Sequence, residues 1–120
     1  QVASKIALDN SRKVDALVLD GPMTSFTDIA LAYAEEKDHG NIKMFVHSPY
    51  SAKECLADLD EVPLLIIHSK EDKGVPFRMG EELFEAKTGV KEMWVYEGAH
   101  IQAPVLFPGE LMSKLDGMLK

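Results

Sequence analysis

Two residues of this sequence have the types and the placement to work as a pair, an imidazole that moves protons and a carboxylate that orients it. Asp72 lies in a polar, glycine-containing turn directly after the apolar run Leu64 to Ile67, within the stretch VPLLIIHSKEDKGVP from Val62 to Pro76. His100 stands in the turn EGAHIQ, four residues beyond the short run EMWVY from Glu92 to Tyr96. An imidazole titrates near neutrality, so it can take a proton from a hydroxyl and return it to a leaving group. A carboxylate beside it fixes the ring's tautomer and stabilises the imidazolium that forms. Asp72 and His100 on one rim of one sheet would make two thirds of a hydrolytic triad.

The other reactive side chains have simpler readings. His68 ends a buried strand and is expected to support the following loop by hydrogen bonding. His39 and His47 fall in a segment without clear periodicity, where a solvent-exposed or lid role is expected. No metal-ligand spacing links the four histidines, and neither a metal nor a cofactor is expected. Asp20 ends an earlier strand and is a minor alternative for the acid. Ser25 follows a strand end, but capping the next helix accounts for it. Cys55 shares a helical face with Leu56 and Leu59 and is read as a core thiol. The acidic pairs Glu35-Glu36 and Glu81-Glu82 read as solvated helix faces.

The two candidate residues must be positioned by strands that end in loops. The unbroken apolar run behind Pro63 reads as a strand buried on both faces, as in a parallel sheet. Glu92 to Tyr96 reads as a second strand, and VDALVLD from Val14 to Asp20 as a third, ended by Gly21-Pro22. Between them lie helical patterns. Val2, Ala3, Ile6 and Ala7 recur at helical spacing near the N-terminus. Ser25 to Asp28 has the form of a capping box, with Asp in place of Glu, ahead of a helical run from Ile29 to Glu36. Ser51 is placed to cap a helix through Leu59. Pro76 opens a helix with Met79, Leu83 and Ala86 on one face, ending near the C-cap signal Thr88-Gly89. Pro108 opens a last helix with Leu111, Leu115, Met118 and Leu119 in line. Strands separated by helical crossovers pair in parallel. The predicted fold class is therefore α/β, a mostly parallel sheet of about three strands with three to five helices. In such sheets, ligands gather outside the carboxyl ends of the strands, where Asp72 and His100 are placed.

At 120 residues the chain is one domain at most. Apolar residues at 46% and charged residues at 28% are ordinary for a globular protein, so no disorder is expected. A net charge of −7 argues against nucleic acid as a partner and against an anionic membrane surface, either of which needs a clustered basic face. The single cysteine cannot form an internal disulfide. No apolar run approaches the length of a membrane span, and the N-terminus lacks the charged and apolar regions of a signal peptide, so a cytoplasmic location is expected. The chain opens on Gln1, already inside a helical pattern, which suggests a fragment of something longer. Three strands make a thin sheet, and an exposed edge could support self-association.

Three segments resemble the C-terminal half of an α/β hydrolase: VDALVLDGPMTSFTDIA, VPLLIIHSKEDKGVPF and MWVYEGAHIQAPVLFPGEL. The middle one is similar to the family's strand followed by His-Gly-x-x-Asp and Val-Pro, whose Asp is the triad acid; that position is Asp72. The last is similar to the strand, glycine turn and triad histidine that precede the final helix; that position is His100. The sequence departs from the pattern at two places. Ser69 stands where glycine is usual after His68, and Glu97-Gly98-Ala99-His100 replaces the commoner Gly-x-Gly-His. The family's nucleophile, a serine on a Gly-x-Ser-x-Gly turn, has no counterpart in the chain. The resemblance thus implies that residues 1–120 form the C-terminal part of one α/β-hydrolase domain, with the nucleophile and oxyanion hole upstream of Gln1. It implies a parent that cleaves a small acyl substrate, an ester, thioester or amide, through an acyl-enzyme, while the chain alone would be inactive. Substrate pockets in this family come largely from loops and lids, to which only Lys37 to Tyr50 could contribute here. Two other readings are open: a small doubly wound binding module, and a catalytically silent hydrolase-fold scaffold.

Overall fold

The computed structural model describes residues 1–46 and 50–119, so His47, Ser48, Pro49 and Lys120 lie outside the described residues. Three strands, β1 (Leu17–Asp20), β2 (Leu64–Ser69) and β3 (Lys91–Tyr96), pair in parallel in the order β1-β2-β3. The register sets Asp20 opposite Ile67 and Ser69 opposite Tyr96. The loops that leave β2 and β3 therefore start side by side on one rim. Every residue of β2 is buried, as its unbroken apolar run requires of a central parallel strand.

Successive β2 residues point to opposite faces, so this one strand feeds two cores. Leu64 and Ile66 join Leu17, Leu19, Leu56, Val62 and Leu83 on one face. Leu65 and Ile67 join Trp94, Tyr96 and Ala103 on the other. Each of these β2 side chains is at most 1% exposed, which stabilises the fold by about 1.5–3 kcal/mol apiece relative to exposure.

Seven helices occur among the described residues: α1 (Val2–Asp9), α2 (Phe26–Tyr33), α3 (His39–Phe45), α4 (Ala52–Ala57), α5 (Phe77–Ala86), α6 (Ala103–Leu106) and α7 (Pro108–Met118). α2, α3 and α4 lie in the crossover from β1 to β2, and α5 makes the crossover from β2 to β3. Ser25 caps α2 by accepting from the Asp28 N–H, and Ser51 caps α4 in a reciprocal box with Glu54. On α5, Met79 and Leu83 are buried, and Leu111, Leu115 and Met118 of α7 pack on the second core, as their spacing predicts. Cys55, Leu56 and Leu59 are all buried.

Several local expectations change, and the helical runs expected to reach Glu36 and Leu59 end earlier, at Tyr33 and Ala57. β1 begins at Leu17 rather than Val14, because its ladder starts where the Leu17 N–H meets the Pro63 carbonyl; Val14 instead packs on the first core. α1 turns Val2 and Ile6 outward, 53% and 56% exposed, and buries Ser4 and Ala7, small residues that let it approach closely where it packs against α4. Leu119 lies past the end of α7 and is exposed. The segment without periodicity contains α3, and the His100 loop runs into the short α6, so there are more helices than the three to five expected. No helix among the described residues is long and apolar enough to cross a membrane.

Candidate active site

Asp72 and His100 meet where the β2 and β3 loops run side by side. Nδ1 of His100 lies 2.6 Å from Oδ2 of Asp72. The Asp72 side chain is 1% exposed and that of His100 35%, so the carboxylate is enclosed while the ring reaches solvent. The carboxylate's other oxygen, Oδ1, accepts the backbone N–H groups of Gly74 and Val75, each at 2.7 Å. This is an Asx-type turn, the local geometry that a short carboxylate side chain favours. Burial pushes the Asp72 carboxyl up, but the hydrogen bond from His100 and the two N–H donors outweigh it and hold the group below the ordinary carboxylate range. Asp72 is thus held as a carboxylate. Because that carboxylate can only accept, the proton of the shared bond sits on Nδ1, and Nε2 of His100 carries the basic lone pair.

Two glycines clamp the ring. A side chain at Gly21, whose φ is +57°, would bring its Cβ to 2.7 Å from Cε1 of His100, and one at Gly74 would approach Cγ at 3.1 Å. Nothing in the sequence signals this role for Gly21, which reads there only as the end of β1. The acid loop is tied down from α2 as well, since the Tyr33 hydroxyl shares its one proton between the carbonyls of Lys73 and Gly74. On the base side the Tyr96 hydroxyl donates to the Ala99 carbonyl at 2.6 Å and accepts the Gln102 N–H at 3.0 Å. A cavity of about 380 Å³ opens at this point, lined by Glu71, Lys73, Gly74, Gly98, Ala99 and His100.

His68 is fully buried, and its Nε2 lies 3.0 Å from the Val75 carbonyl and 3.3 Å from Oδ2 of Asp72. Both partners are acceptors, so Nε2 carries a proton, and His68 supports the acid loop. Its Nδ1 has no partner among the described residues and faces Gly80, where a Cβ would come to 2.4 Å. Asp20 lies close enough to feel the charges of His100, His68 and Asp72, but the Nδ1 that an acid would orient is held by Asp72. Burial raises the Asp20 carboxyl, and its Oδ1 has no partner among the described residues. Ser25 is 7% exposed and serves as the α2 cap. Burial raises the Cys55 thiol, which keeps it in its inert form. His39 is half-buried, with Nε2 3.3 Å from the Ala34 carbonyl. His47 lies outside the described residues.

No protein-family model matches the chain. It is 30% identical to human (Homo sapiens) protein ABHD12B over 92 residues, covering 69% of the chain and 25% of that protein. It is 28% identical to the uncharacterized protein YfhR of Escherichia coli K12 over 91 residues, covering 75% of the chain and 30% of that protein. Among solved structures, the Pyrococcus furiosus esterase Pf2001 superposes with a TM-score of 0.71 at 20% identity over 98% of the chain and 48% of the esterase. The chain therefore spans about half the length of that esterase and a smaller share of the two curated relatives.

Proposed function

Because the chain has the fold of the C-terminal part of an α/β hydrolase, we propose that it supplies the acid and the base of a serine hydrolase. The bond cleaved would be an ester, thioester or amide. The observation that carries this proposal is the 2.6 Å contact between an enclosed carboxylate and a solvent-reaching imidazole. In the proposed reaction Nε2 of His100 accepts the proton of a serine hydroxyl as the serine oxygen attacks the substrate carbonyl. Asp72 stays ionised and stabilises the imidazolium. His100 then gives the proton to the departing group, leaving an acyl-serine, and repeats the exchange with water to release the acid. The serine and the oxyanion hole are assigned to a segment preceding residue 1 in a longer protein. The partial coverage of the three similar proteins named above supports a longer parent protein. The 380 Å³ cavity beside His100 is the proposed entry for a small acyl substrate.

The 120-residue chain, treated with a serine-directed fluorophosphonate, should remain unlabelled. Stoichiometric labelling of Ser25 or any other serine within it would place the nucleophile inside the chain and overturn the assignment.

A further inference from the structure

Ser69 is the last residue of β2, and it is fully buried. Its hydroxyl donates to the Gly98 carbonyl at 2.5 Å and accepts the Glu71 N–H at 3.1 Å. One side chain thus ties the loop that carries Asp72 to the loop that carries His100. Ile101 is the only residue other than glycine with positive φ among the described residues, so the backbone at Ser69 does not call for glycine. The position is free to carry a working side chain.

Its partner is fixed from the other side. Gly98 has φ +154°, and a Cβ there would press on Leu106 at 3.0 Å and on Tyr96 at 3.1 Å. The next residue, Ala99, donates its N–H to Oε1 of Gln102 at 2.9 Å and accepts the Tyr96 hydroxyl. The backbone from Gly98 to Ala99 is therefore pinned at three points immediately before His100, and the Ser69 hydroxyl is the one pin that comes from the neighbouring strand. The two places where the sequence departs from the pattern it resembles, Ser69 and the displaced glycine Gly98, are the two ends of this hydrogen bond.

We propose that Ser69 is a positioning residue, whose hydroxyl holds the Gly98 peptide so that the following turn aims His100 at Asp72. The Gly98 peptide leads into the turn that carries His100, and the serine hydroxyl supplies the tether that fixes its path. The catalytic consequence rests on the hydrolase reading above; the tether itself does not.

The test is proton NMR of the 120-residue chain. A proton held between Nδ1 of His100 and the Asp72 carboxylate gives a far-downfield resonance shielded from exchange. That resonance is expected in the wild type and in S69T, which keeps the hydroxyl. In S69A it is expected to broaden away or to exchange about tenfold faster, the effect of losing one hydrogen bond. A wild type without the resonance, or an S69A chain that keeps it with unchanged exchange, overturns the proposal, even if S69A melts at a lower temperature. If S69A does not fold, the wild type decides: a slowly exchanging Ser69 hydroxyl proton with an NOE to Gly98 Hα supports the tether, and its absence overturns it. Loss of the resonance in S69A, combined with full ester hydrolysis by the longer protein carrying H100A, would refute the hydrolase reading and leave the tether standing.

Discussion

At the scale of single residues, the site depends as much on missing side chains as on present ones. Gly21 has both a positive φ and a clash with the His100 ring awaiting any Cβ. G21A should therefore cost on the order of 1–3 kcal/mol of stability from backbone strain and displace the ring from Asp72, measurable by urea unfolding and by loss of the Nδ1 proton resonance. The enclosed Asp72 carboxylate and the half-buried Asp20 carboxylate give opposite pH signatures. The Asp72 carboxyl is lowered, so its contribution to stability is present above the ordinary carboxylate range, near about 3.9, and is lost as pH falls through its folded value. The Asp20 carboxyl is raised, so the cost of ionising it grows as pH rises past that ordinary range through its folded value. D20N removes that cost and should raise the melting temperature at pH 7, while D20N at pH 3 should be near neutral in effect. The meeting of Asp72 and His100 was legible because each is a reactive group a few residues past an apolar run. Gly21, Gly74 and Ser69 were not, because their roles are contacts with loops remote in sequence, which spacing does not encode.

At the scale of elements, local chemistry set the helix starts. The reciprocal box at α4, in which Ser51 Oγ accepts the Glu54 N–H and Glu54 accepts the Ser51 N–H, was readable as Ser-x-x-Glu. S51A should cost about 1 kcal/mol, read as a lower urea midpoint with an unchanged m-value. The same helix buries Cys55, which should resist a thiol reagent such as DTNB under native conditions and react at once in denaturant. Where the sequence reading failed, tertiary packing had overridden pattern. α1 offers Val2 and Ile6 at helical spacing, yet packs through Ser4 and Ala7, because close approach to α4 favours small residues over large ones. α3 was unreadable, since Gly40-Asn41 interrupts its pattern. α6 is a single turn, too short for any period to show.

At the scale of the molecule, the chain is a slab with extents of 48 × 33 × 19 Å. Its radius of gyration of 14.9 Å exceeds the roughly 13.6 Å expected of a compact domain of this length. β1 pairs with β2 alone among the described residues, and Val18 on it is 37% exposed. A free, partly apolar edge is a template for another strand. The isolated chain should therefore self-associate with rising concentration in sedimentation velocity, and V18K should shift it toward monomer. Three parallel strands were legible because apolar runs alternated with helical patterns. The central claim, that Asp72 and His100 work as one catalytic pair, is tested most directly by the kcat of the longer protein on a p-nitrophenyl ester. D72N and H100A should each lower it by about 10⁴-fold or more, with the double variant little worse than H100A alone. Single variants that hydrolyse the ester at wild-type rate would contradict the account.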